Sequence, residues 1–145
     1  MRCCIHVPSQ DNRIGTAEFT LPPQTKGPPA HWHEMHDETF LVTKGMVRFH
    51  VPASANPELA GEEAHGERHI DAHEGDYVTV PIRAPHTFSN PNDFESVFIN
   101  TYTPAFYINY FRIIGTLMEE GKPMNPEINK KAMAVFATIG ADLSK

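Results

Sequence analysis

The chain has 145 residues, with 40% hydrophobic and 21% charged side chains and a formal charge of -6. That is the make-up of one globular domain able to bury a core, and it excludes a disordered chain, a collagen repeat or a coiled coil. Twelve Lys and Arg scattered among eighteen Asp and Glu argue against a nucleic-acid partner.

The N-terminal run MRCCIHVPSQDNR is too short in apolar residues for a signal peptide, and no stretch nears the roughly 18 apolar residues of a membrane span. The expectation is a cytoplasmic protein with no membrane contact. Cys3 and Cys4 are adjacent, which suits neither a bridge nor a zinc site, so they read as reduced thiols on a fraying end. From there, β-rich alternating runs predict strands over Arg13–Leu21, around His31–His33, and over Thr39–Thr43, Met46–Val51, Tyr77–Val80, His86–Ser89 and Phe94–Thr103. Many short strands in one domain imply a sandwich or barrel, which hides sheet edges. Pro22–Pro29 and Pro52–Arg68 read as surface loops, and Lys44-Gly45 as a hairpin turn with Gly45 at positive φ. After Pro104 the period becomes helical. Tyr107, Tyr110, Phe111, Ile114, Leu117 and Met118 form one stripe, stopped by Gly121. A second helix starts with Asn125 as cap and Pro126 in its first turn, and puts Ile128, Ala132, Val135, Phe136 and Ile139 on one side. Residues 1–145 are thus expected to form a single domain, a β barrel over about 13–103 with a helical appendage over about 104–141.

The chemistry concentrates in His31-Trp-His33-Glu-Met-His36-Asp-Glu38. On a strand, the period of two points His31 and His33 to one face. Glu38 follows a break that can return it to that face, and His86, after Pro85 at the start of another strand, can supply a fourth ligand. Imidazole plus carboxylate is the donor set of non-haem iron and its divalent neighbours. His36, three residues after His33, is expected to face away, a supporting donor more readily than a ligand. His65, His69 and His73 read as solvated loop residues, and His6 and His50 have no assigned role.

The same residues resemble the two motifs of the cupins. The first motif runs H-x-H, then Glu, then Gly after six residues, and is matched by His31, His33, Glu38 and Gly45. The second is matched by Gly75, Pro81, His86 and Asn90. Two positions depart from the pattern: Thr25 and Arg83 stand where the family usually has glycine. The resemblance covers about Arg13 to Tyr102 and is strongest to the small single-domain cupins of the quercetin-dioxygenase-like group. It implies an all-β jelly-roll barrel with two C-terminal α-helices, in which His31, His33, Glu38 and His86 bind one divalent metal ion. Iron is the first expectation, with Mn, Co, Ni, Cu and Zn compatible with the ligand type. Glu38 is then ligand, general base or both.

Alternation gives the lining. Phe40 and Val42 follow Glu38, Phe88 follows His86, and Phe94, Phe98 and Tyr102 share a face with Ser96 and Asn100. Phe40, Phe88, Phe98 and Tyr102 are the expected substrate contacts, with core packing as the competing role; Tyr107 and Phe111 are placed at the mouth. The expected activity is a metal-dependent oxygenase acting with O2 on a small oxygenated aromatic or polyketide-like molecule. The alternatives are a redox-neutral isomerase, cyclase or decarboxylase, and a non-enzymatic small-molecule binder. The helix stripe and strand edges, together with the resemblance, suggest a homodimer.

Overall fold

In the computed structural model, which describes residues 1–6, 11–52, 67–117 and 125–144, the alternating runs become strands. In chain order these are β1 (Arg2–His6), β2 (Gly15–Leu21), β3 (Thr25–Lys26), β4 (His31–His33), β5 (Asp37–Lys44), β6 (Met46–Pro52), β7 (Glu67–His73), β8 (Tyr77–Val80), β9 (Thr87–Asn90) and β10 (Ser96–Thr103). A 3-10 turn at Ala105–Tyr107 leads into α1 (Ile108–Leu117), followed by α2 (Pro126–Val135) and β11 (Thr138–Gly140). Among the described residues, no helix is long and apolar enough to cross a membrane. The expected loop over 53–66 with His65, the Met118 and Gly121 of the expected first helix, and the side chains of His6 and Leu117 lie outside the described residues.

The strands form one sheet ordered β1-β2-β10-β5-β8, a second ordered β3-β9-β6-β7, and a two-stranded pair of β11 with β4. The chain passes repeatedly from one sheet to the other, so the two inner faces close on a shared interior, as in the expected jelly-roll barrel. Each inner face follows from the period of two. Ala17, Phe19 and Leu21 are buried on β2, Phe40 and Val42 on β5, and Phe98 and Tyr102 on β10. From the other sheet come Val47, Phe49 and Phe88. Within the first sheet Phe98 stacks on Phe19 at 5.2 Å and meets Phe40 at 5.5 Å, and two ring contacts cross to the second sheet, Phe98 to Phe88 at 5.1 Å and Phe40 to Phe49 at 5.0 Å. The polar residues on these faces are satisfied. Asn90 Nδ2 donates to the carbonyls of Leu21, Pro22 and Phe94 at 2.7–3.1 Å, which explains a polar residue at that inward position.

Several expectations are corrected. The Lys44-Gly45 turn is not a hairpin: Gly45 does hold φ of +75, but β5 and β6 belong to different sheets, so the turn is a corner between them. Cys3 is not on a fraying end, because β1 pairs with β2 with Cys3 opposite Phe19. Arg13 and Ile14 precede β2, and Phe94 precedes β10 and is 49% exposed, so neither end of those expected strands reaches the core. Thr25–Lys26 pairs with β9 inside the segment read as a loop, and His69 and His73 lie on β7, though both are exposed. The second helix keeps its Asn125 cap, whose Oδ1 accepts from Glu127 N and Ile128 N, yet its face is different. Ala132 and Met133 are buried, Val135 is 72% exposed, and Ile139 belongs to β11. Ala137, at φ of 49, turns the chain out of the helix and into that strand.

Phe98 touches Phe19, Phe40 and Phe88 and is fully buried. Truncating it to alanine should cost about 3–5 kcal/mol of unfolding free energy in urea titrations. A loss below about 1 kcal/mol would show that this ring lines a cavity instead of filling the core.

Candidate metal centre

β4 is three residues long, and its burial alternates so that His31 and His33 face inward while Trp32 is half-buried. An isolated antiparallel bridge sets His86 directly opposite His31, with His31 N donating to His86 O at 3.0 Å and His86 N donating to His31 O at 2.9 Å. Glu38 arrives from β5, whose inward series is Glu38, Phe40 and Val42. The structure therefore brings together all four residues expected as ligands. His31, His33 and His86 offer ring nitrogens that lie within 4.8 Å of one another, and His33, His36 and Glu38 form a second such group. Every one of these side chains belongs to a residue 5% exposed or less.

His36 is the correction here. It points into the site, with Nε2 3.1 Å from Glu38 Oε1. The bend at Glu34-Met35 resets the strand phase, so the alternation has to be counted back from Glu38 and not forward from His33. Glu38 Oε1 is also 3.1 Å from His33 Nε2, and Oε2 is 3.5 Å from His86 Nε2.

The far sides of the rings decide what the near sides offer. His31 Nδ1 lies 2.8 Å from the Pro29 carbonyl and His86 Nδ1 3.0 Å from the Ala84 carbonyl. A carbonyl can only accept, so both Nδ1 atoms carry the hydrogen and a neutral ring leaves its lone pair on Nε2. His33 Nδ1 contacts the Thr138 hydroxyl at 2.8 Å. Among the described residues, His33 Nε2 and His86 Nε2 are buried without a hydrogen-bond partner. Burial, with His86 and His33 adding to it, lowers His31 to about 3, and burial lowers His33 as well. Burial alone would raise Glu38, but its contacts with His33, His36 and His86 outweigh that and hold the carboxyl well below its usual range. A buried, ionised carboxylate with imidazole nitrogens gathered round it is a donor set that could hold a cation.

Aromatic rings close the site. Tyr107 packs on His33 and His36, at 4.7 Å from each, and Tyr102, opposite Glu38 across β5 and β10, lies 5.6 Å from His36. Burial and Glu38 raise the Tyr102 phenol well above its usual range; burial and Tyr110 do most of the same for Tyr107, so both remain hydrogen-bond donors. Of the expected substrate contacts, Tyr102 and Phe40 adjoin the site, with Phe40 6.2 Å from His86. Phe88 and Phe98 pack deeper, against Phe40 and each other. Phe111, placed at the mouth, packs on Phe19, Tyr102 and Tyr107. His50 lies elsewhere, with Nε2 2.7 Å from Ser89 Oγ. Thr138 was invisible in the sequence, since its segment continued a helical pattern.

Arg83, one of the two departures from the motif, holds φ of 66, the left-handed backbone for which glycine is the usual choice. That conformation costs a non-glycine residue about 1–2 kcal/mol. Two contacts hold it: Arg83 N donates to His33 O at 2.9 Å and Arg83 Nε to Glu34 Oε2 at 2.8 Å. The turn before His86 is therefore tied to the strand that carries His31 and His33. Thr25, the other departure, donates from its hydroxyl to Pro22 O at 2.7 Å.

The family model for the cupin domain matches residues 17–102. The chain belongs to the cupin family. No curated protein sequence matches this cupin. Its fold is similar to KdgF from Halomonas sp., at 16% identity and a TM-score of 0.55 over 70% of this chain and 76% of that one. A double-stranded β-helix protein from Klebsiella pneumoniae gives 15% and 0.54 over 70% and 75%. The Cnp3 cupin domain of Schizosaccharomyces pombe gives 12% and 0.55 over 78% and 67%. Cupins commonly bind a metal, and the His-rich cluster is where this one could hold it.

Below pH 6.5 the unfolded chain protonates His31 while the folded chain leaves it neutral down to about 3. Stability of the metal-free protein should therefore fall with pH across that window, His31 contributing a slope of about 1.4 kcal/mol per pH unit. Urea titrations of wild type and His31→Gln between pH 6 and 4 should show the variant's slope reduced by that amount. Equal slopes would place the His31 ring in water.

Proposed function

We propose that this cupin is a metal-dependent enzyme, an oxygenase acting on a small oxygenated aromatic or polyketide-like molecule. His31, His33, Glu38 and His86 would hold one divalent ion, iron first among the candidates. The observation that carries the reading is the pair of buried, unpartnered nitrogens, His33 Nε2 and His86 Nε2, beside the Glu38 carboxylate. An unsatisfied buried polar atom costs about 1–3 kcal/mol, a cost that a bound cation removes. When bound, the ion supplies Lewis acidity towards a substrate oxygen and, if redox-active, electron exchange with O2.

The rest is chemistry of the chain. Four ligands leave one or two positions open on an ion that takes five or six, which is the condition for substrate to enter. Glu38, held ionised, can accept the proton of a substrate hydroxyl at Oε1, and His36 Nε2 is 3.1 Å from that same oxygen to share it. Tyr102 and Tyr107 present donors, and Phe40 gives an apolar wall that keeps water from the reacting atoms. The Glu38–His36 pair also favours a second reading, redox-neutral proton transfer at a carbonyl substrate, since that pair needs no O2 to work.

Elemental analysis of freshly purified protein should find about one divalent ion per chain, lost in His86→Ala with the fold retained by circular dichroism. Absence of a stoichiometric ion in wild type would remove both enzymatic readings and leave a small-molecule binder. With iron restored, flavonol and polyphenol panels should drive O2 uptake. Turnover under strict anaerobiosis, equal with zinc and iron, would instead establish the redox-neutral reaction.

A further inference from the structure

β11 pairs with β4, the strand that carries His31 and His33, in the register Thr138 with His33, Ile139 with Trp32 and Gly140 with His31. Backbone bonds extend the strap at both ends, from Glu34 N to Ala137 O at 3.1 Å and from Ala141 N to Ala30 O at 2.8 Å. Of the three β11 residues only Thr138 is buried. Its hydroxyl meets His33 Nδ1 at 2.8 Å, on a ring that also packs against Tyr107 at 4.7 Å.

Resting on the reading of His33 as a ligand, we propose that Thr138 is a positioning residue of the metal centre, whose hydroxyl selects the tautomer of His33 able to bind a cation. The His33–Thr138 hydrogen bond can run in two directions, because a hydroxyl donates one hydrogen and accepts others. In one direction His33 Nδ1–H donates to Thr138 Oγ1 and His33 Nε2 keeps its lone pair. In the other, Thr138 donates to Nδ1, so Nε2 carries the hydrogen, 3.1 Å from Glu38 Oε1. Only the first direction leaves a ligand. His31 and His86 have no such choice, since carbonyls fix their Nδ1–H. His33 is therefore the ligand whose availability is set by a side chain, and that side chain comes from a strand 105 residues away in sequence.

The test is Co2+ titration by calorimetry and visible absorption, joined to 15N shifts of the His33 ring in metal-free protein. Thr138→Val keeps the shape but removes the acceptor. It should weaken Co2+ binding by about 10–100-fold, the usual effect of losing such a supporting partner, and populate the Nε2–H tautomer. Thr138→Ser should stay within about threefold of wild type, with the Nδ1–H tautomer. Should Thr138→Val fail to fold, Thr138→Ala carries the same expectation. Co2+ affinity and His33 tautomer both unchanged in the folded variant would overturn the inference. Wild-type protein that takes up no Co2+ would overturn the ligand reading itself, and this inference with it.

Discussion

A neutral imidazole has one hydrogen and one lone pair, and a buried one must place both. This constraint organises the centre of the barrel. For His31 and His86 the hydrogen goes to a carbonyl two residues earlier in the chain, Pro29 and Ala84, so each ring is anchored by its own strand entrance. The lone pairs then have nowhere to go but inward. The cross-strand bridge between His31 and His86 places the two rings side by side, 4.7 Å apart, and Glu38 supplies the negative charge on which these nitrogens converge. Pairing in the backbone and donor direction in the side chains are thus one arrangement.

The apolar interior gives that arrangement its strength. Phe40, Phe98 and Phe88 fill the space below the cluster, and Tyr102 and Tyr107 cover it. In such surroundings a protonated imidazole is expensive, and burial keeps His31 and His33 neutral. The same surroundings strengthen every charge–dipole contact to Glu38. Packing that would be unremarkable in a core sets the protonation state of the residues above it.

The sequence makes legible what is local. His31 and His33 share a face because two residues on one strand must, and Glu38, Phe40 and Val42 follow from the same rule. His36 was misplaced because a bend of two residues shifts the phase, and nothing in the residue types marks where the shift falls. Gly45 shows the division clearly: its positive φ is a property of one residue and was readable, whereas the sheets that β5 and β6 join depend on distant partners. β1 escaped notice because it lies at an edge of the first sheet, and β7, at an edge of the second, carries polar residues on its outer face that read as loop. β11 and Thr138 were beyond reach altogether, since Ile139 fits a helical stripe as well as a strand and the contact with His33 spans most of the chain.

The three anchors of the imidazole rings differ in kind. Two are peptide oxygens, present whatever amino acid occupies positions 29 and 84, and so beyond the reach of any codon change at those sites. The third is a threonine hydroxyl, which a single nucleotide can alter. Drift or selection can therefore retune this centre at one ring while the other two stay as the main chain made them.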